Sequence, residues 1–176
     1  FTMIGNTTFA DNMVLCHAYG RLVPGMIVEC GVWRGGTSAA MAEVMGRGRT
    51  SYLFDSFEGL PPAREEKDGA AAVAYQQDTD APEYHDNCRA EIGFAQQAMQ
   101  LSGSTDVHLV KGWFNETLPQ FRPAEPIAVL RLDGDWYDSI LTCLQELYRY
   151  VTPGGLVILD DYYSWDGCCR AVHDFL

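Results

Sequence analysis

Five short apolar runs, each ending in an acidic or glycine-bearing polar tip, constrain this chain more than any other feature. They are Met26-Ile27-Val28 leading into Glu29, Ser51-Tyr52-Leu53-Phe54 ending at Asp55, Val107-His108-Leu109-Val110 ending at Lys111-Gly112, Ile127 to Leu132 ending at Asp133-Gly134-Asp135, and Leu156 to Leu159 ending at Asp160-Asp161. Runs this short and apolar on both faces read as strands buried inside a parallel sheet. Helical spacing occupies the intervals, over Asn6 to Tyr19 (stopping at Gly20), Thr37 to Met45, Asp86 to Leu101 and Ser139 to Tyr150. Strand, loop and helix in alternation predict an α/β fold with a mostly parallel sheet. Only Phe57 to Tyr84 breaks the rhythm. It is rich in Pro, Ala, Asp and Glu, opens on Leu60-Pro61-Pro62, and is expected to be a surface insertion or lid.

The 176 residues fit one domain, 1–176, long enough to bury a sizeable core. A net charge of −12 with scattered basic residues argues against a nucleic-acid partner. No run approaches the ~18 apolar residues of a membrane span, and no basic segment with an apolar stretch marks a signal peptide. The chain is therefore expected in the cytoplasm, away from membranes. Its six cysteines include no C-x-x-C pair and read as free thiols, mostly small buried hydrophobes. The four histidines are dispersed and read as structural, and no G-x-S-x-G elbow supports a serine hydrolase. Trp136, Tyr162, Tyr163 and Trp165 follow the acidic tips and could wall a sugar site or fill the core.

Ligands of open α/β sheets bind beyond the carboxyl ends of the strands, so the five tips can be read as one site. The first tip, Glu29 through Gly31, Trp33, Arg34, Gly35 and Gly36 to Ser38, lets the backbone turn tightly and opens a helix whose free N–H groups suit an anion. It is not the dinucleotide fingerprint. An acid before the loop suits a cationic amine and the helix N-terminus a carboxylate, so the pair suits an amino-acid moiety. Asp55 lies about two dozen residues beyond Gly31, where nucleoside-binding α/β folds place an acid on the ribose. Together these tips suggest adenosine joined to an amino acid. Asp133 and Asp135 point the same way along an extended chain, and Asp160-Asp161 would adjoin them if the last two strands pair at about 4.8 Å. Carboxylates converging there would repel or take up protons, unless a hard divalent ion such as Mg²⁺ is held among them.

These motifs resemble the macrocin O-methyltransferase family, which methylates sugars in natural-product pathways. The resemblance runs through Thr2-Met3-Ile4-Gly5, Gly31 to Gly36, Asp55-Ser56-Phe57-Glu58-Gly59-Leu60-Pro61, Lys111-Gly112-Trp113-Phe114, Leu132 to Asp135 with Tyr137, and Asp160-Asp161-Tyr162. It implies a Rossmann-like, class I, S-adenosylmethionine-dependent O-methyltransferase. Thr2 and Met3, within an N-terminal lid and helix (residues 1–20), would close over the cofactor. Glu29, Gly31, Trp33, Arg34, Gly35 and Ser38 would hold its methionine end, Asp55 and Ser56 its ribose, Gly112 and Trp113 would border the adenine, and Gly59 would also contact the cofactor. Mg²⁺ would sit on Asp133, Asp160 and Asp161, with Asp135 as general base and two vicinal sugar hydroxyls on the metal. A homodimer is a family expectation. The family's sheet carries two further strands after the helix near Cys168, so the last strands are expected to be missing from this chain. Two competing readings are a nucleotide-sugar glycosyltransferase using Asp133-Gly134-Asp135 and a truncated, non-catalytic cofactor-binding protein.

Overall fold

The computed structural model describes residues 1–176. Strands β1 (Met26–Cys30), β2 (Ser51–Asp55), β3 (Val107–Lys111), β4 (Ile127–Leu132) and β5 (Val151–Leu159) form one parallel sheet in the order β3-β2-β1-β4-β5. Helices α1 (Asn6–Ala18), α2 (Gly36–Met45), α3 (Glu65–Asp68), α4 (Ala70–Gln77), α5 (Ile92–Ser102), α6 (Phe114–Thr117), α7 (Tyr137–Leu147) and α8 (Asp166–Phe175) complete the chain.

Every residue of β1 and β4 is buried, because helices cover both faces of these central strands. Side chains alternate between the faces. Met26, Val28 and Cys30, with Leu130 and Leu132, pack on α7 and α8 through Ile140, Cys143, Leu144, Leu147, Cys168 and Ala171. Ile27, Leu53 and Val129 pack on the opposite layer, formed by Cys16, Met41, Ala42, Met45, Ala95 and Met99. Full burial of one such Leu or Ile side chain contributes about 1.5–3 kcal/mol, so these two clusters fix the sheet that carries the tips.

Three expected elements differ. β5 begins at Val151 rather than Leu156, since Val151 already pairs with Ile127 before a register shift around Pro153-Gly154-Gly155. The helix expected from Asp86 begins at Ile92, because His85, Asp86, Asn87 and Cys88 hold positive φ of 47–59°, which no right-handed helix accepts. The irregular segment after β2 contains α3 and α4.

Candidate active site

The chain leaves β1 toward β2 on one side and returns to β4 on the other, so a crevice opens at the carboxyl ends of β1 and β4. A cavity of about 790 Å³ occupies it. Thr2, Met3, Gly31, Trp33, Asp55, Ser56, Gly59, Gly112 and Trp113 line it, together with Asp133, Asp135, Asp160 and Asp161. Glu29, Arg34, Gly35 and Ser38 lie outside that lining.

The glycine loop forms one half. Gly31 has φ 91°, and a Cβ there would lie 1.7 Å from the Asp133 carbonyl oxygen, so only glycine lets the β1 and β4 tips meet this closely. Asp55 Oδ2 accepts the amides of Val32 (2.7 Å) and Trp33 (2.8 Å), and its Oδ1 accepts that of Phe57 (2.6 Å). The carboxylate thus shapes the loop and keeps spare acceptor capacity, since each oxygen can take two donors. Burial raises its pKa, opposed by those three amides. Over the loop, the Phe1 carbonyl accepts the Gly36 amide at 2.9 Å and the Thr2 hydroxyl meets that of Thr37 at 3.0 Å. Arg34 stacks on Trp33 and Phe94 at 4.4 and 5.0 Å, outside the crevice. The buried Trp33 indole N–H has no acceptor within the chain.

The acidic tips form the other half. Carboxylate oxygens of Asp133, Asp135 and Asp161 lie within 4.8 Å of one another. The Asp135 amide donates to Asp161 Oδ2 at 3.2 Å, and Asp135 itself takes a left-handed φ of 54°. Burial, with Asp133 adding to it, pushes the Asp135 pKa up to about 8. Burial and then Asp135 push Asp161 up to about 10. Asp160 is also raised, by burial and by Asp133. Hard oxygen donors this close, short of compensating charge, fit a divalent cation.

Arg131 joins this cluster to the base of the glycine loop. It faces Glu29 across the β1–β4 ladder, and both side chains are 1% exposed. Its Nη1 lies 2.7 Å from Glu29 Oε1 and 2.8 Å from Asp133 Oδ2, and its Nη2 lies 2.7 Å from Asp160 Oδ1. Burial alone would lower the guanidinium pKa, but Asp133, Glu29 and Asp160 outweigh it and raise it. With one cation shared by three acids, burial still lifts Glu29 to about 7 despite Arg131 and the Ser38 hydroxyl bonded to it. Motif spacing does not single out Arg131, although a cation inside the apolar run Ile127 to Leu132 is a visible signal. Truncation in Arg131→Met strands those acids and should cost about 3–5 kcal/mol in a urea melt; a change below about 1 kcal/mol would contradict the pairing.

The raised acids also set a pH dependence. Asp135 and Asp161 hold protons in the native chain up to about 8 and about 10. The unfolded chain releases them near pH 3.9. The native state therefore binds more protons across that window, and stability falls as pH rises. Thermal melts in EDTA should show a falling Tm from pH 6 to 8, beyond the titration of ordinary carboxylates; a rising Tm would oppose this assignment.

Of the four aromatics, Trp136 is buried at 2% exposure and stacks edge-on against Trp165 at 5.1 Å, while Tyr163 is 98% exposed. Only Trp136 of these lines the cavity.

Comparison with known proteins agrees in one direction. The macrocin-O-methyltransferase (TylF) family model matches residues 1–176. The 8-demethyl-8-(2,3-dimethoxy-alpha-L-rhamnosyl)-tetracenomycin-C 4'-O-methyltransferase of Streptomyces olivaceus is 38% identical over 99% of this chain and 67% of its own length. The demethyldecarbamoylnovobiocin O-methyltransferase of Streptomyces niveus is 34% identical over 99% of this chain and 67% of its own. Among solved structures, the O-methyltransferase NovP superposes with a TM-score of 0.79 at 34% identity, over 99% of this chain and 72% of that one. The calicheamicin methyltransferase CalS11, at 23% identity and a TM-score of 0.74, covers 97% and 72% and shares the fold.

Proposed function

The chain belongs to the macrocin-O-methyltransferase family of class I S-adenosylmethionine-dependent enzymes, and on that premise we propose that it methylates a sugar hydroxyl of a glycosylated small molecule with the help of a divalent cation. The observation that carries this reading is the single cavity shared by the glycine loop and the acidic tips. The competing glycosyltransferase reading falls with the family assignment. One relative's name supports a glycoside acceptor, since it specifies a rhamnosyl tetracenomycin.

When bound, S-adenosylmethionine would supply the sulfonium methyl, and Mg²⁺ would lower the pKa of the reacting hydroxyl. Gly31 lets the backbone approach the cofactor, Asp55 offers its spare acceptor capacity to the ribose with Ser56 and Gly59 beside it, and Gly112 and Trp113 border the base. Thr2 and Met3 close the mouth and exclude water. Glu29, buried beneath the loop, acts on the methionine end through the backbone it underlies, as do Gly35 and Ser38, while Arg34 braces Trp33 from outside. Asp133, Asp160 and Asp161 are the proposed metal-holding acids; Asp160 lies outside the group of close oxygens formed by Asp133, Asp135 and Asp161, and would have to turn from Arg131 to join it. Arg131 keeps Asp133 and Asp160 aimed at the crevice. Asp135 takes the proton from the substrate oxygen, and a pKa near neutrality suits a general base.

The test is release of S-adenosylhomocysteine when the purified chain is given S-adenosylmethionine, Mg²⁺ and a rhamnoside panel that includes p-nitrophenyl α-L-rhamnoside. Release should require a glycoside and stop in EDTA. Release that ignores EDTA would remove the cation from the scheme, and none with any glycoside would remove the sugar.

A further inference from the structure

Asp68 stands on the insertion after β2 and is 3% exposed, yet nothing in the chemistry above uses it. Both of its oxygens are engaged: Oδ2 accepts the Arg64 amide at 2.8 Å and Oδ1 the Tyr137 amide at 2.8 Å. Tyr137 is the first residue of α7, whose N-terminus receives no cap from its own preceding side chain. An acid supplied from elsewhere satisfies that free N–H and complements the helix dipole. One residue earlier, the Trp136 indole donates to the Pro61 carbonyl, also on the insertion, at 2.9 Å. The two residues that follow Asp135 are therefore both tied to the same outside segment.

Asp135 needs that support. A non-glycine residue at φ 54° is strained, and such a conformation persists only where its surroundings over-determine it. The helix on the other side is shaped to admit the clamp. A Cβ at Gly167 would lie 2.6 Å from Asp68 Oδ1 and 2.9 Å from the Tyr137 nitrogen.

We infer that Asp68 is a positioning residue that fixes the Asp133–Trp136 turn, and through it Asp135, by capping α7 from the insertion. The inference rests on the reading of Asp133 and Asp135 as site acids. Hydrogen exchange at the Tyr137 amide and calorimetric titration with S-adenosylhomocysteine and then Mg²⁺ test it on the full chain. In Asp68→Ala the Tyr137 amide should lose protection, and Mg²⁺ affinity should fall about tenfold while S-adenosylhomocysteine affinity stays within about twofold. Asp68→Asn keeps one carbonyl oxygen for Tyr137 and should recover most of the Mg²⁺ affinity, which general destabilisation would not produce. Asp68→Ser, whose side chain is too short to reach Tyr137, carries the test if the Ala variant does not fold, with an exchange rate at Tyr137 above the wild-type value. Undiminished protection of Tyr137 in Asp68→Ala or Asp68→Ser overturns the inference. Wild-type protein that binds no Mg²⁺ overturns the cation reading instead, and the exchange data still decide the clamp.

Discussion

Asp135→Asn is expected to lower methyl transfer by about 10²–10⁴-fold, the usual contribution of a positioned general base, while making the metal-free chain more stable. The two effects have one cause. Asp135 is a buried acid whose pKa sits at about 8 because burial and Asp133 disfavour its charge. A neutral amide of the same shape removes the proton acceptor and the repulsion together. Asparagine also tolerates the left-handed region at least as well as aspartate, so φ 54° need not change. S-adenosylhomocysteine affinity should be unaltered, and the Tm at pH 8 in EDTA should rise. A variant that keeps its turnover would show that the proton leaves by another route.

Gly31→Ala is expected to have the largest effect on folding. The added Cβ would meet the Asp133 carbonyl oxygen at 1.7 Å and its carbon at 2.6 Å, and both atoms are backbone. The Gly31 amide is held to Phe54 O at 2.9 Å and the Asp133 amide to Cys30 O at 2.8 Å, so neither strand tip can yield cheaply. The residue would also carry φ 91°, outside the comfortable range of an L side chain. A loss of about 3–5 kcal/mol in a urea melt follows, in the range of strain at a special backbone position. Any folded remainder should bind S-adenosylhomocysteine and Mg²⁺ poorly, because one clash displaces both the loop and Asp133. An unchanged urea midpoint would refute the close approach of β1 and β4.

The strands are legible because sheet burial acts locally on sequence: β4 is apolar at every position except Arg131, and its bounds match the run Ile127 to Leu132. Pro153-Gly154-Gly155 has turn chemistry and hides the start of β5, because the pairing of Val151 with Ile127 is a non-local fact. The tips were legible as polar residues at strand ends. Their partners were not. Asp55 reads as a free acid, yet it spends two bonds on the glycine loop after β1 and one on the loop after its own strand. Glu29 reads as a ligand-facing acid, yet it is buried on Arg131 and Ser38. Asp68 could not be found from spacing at all, since its partner Tyr137 lies 69 residues away and only the folded insertion brings them together. Helices α3 and α4 give no periodic signal, because their Ala-rich and acidic residues show no apolar stripe and most of them stay at least partly exposed.

One crevice is proposed to hold S-adenosylmethionine and a divalent cation side by side. Calorimetric titration of the wild-type chain with S-adenosylhomocysteine, followed by Mg²⁺, tests it most directly, with Asp161→Ala as the control. Cofactor binding is expected in both proteins, with a separate Mg²⁺ event present in the wild type and lost in the variant. A folded wild-type chain that binds S-adenosylhomocysteine but takes up no Mg²⁺, or takes it up equally with Asp161 removed, would contradict it.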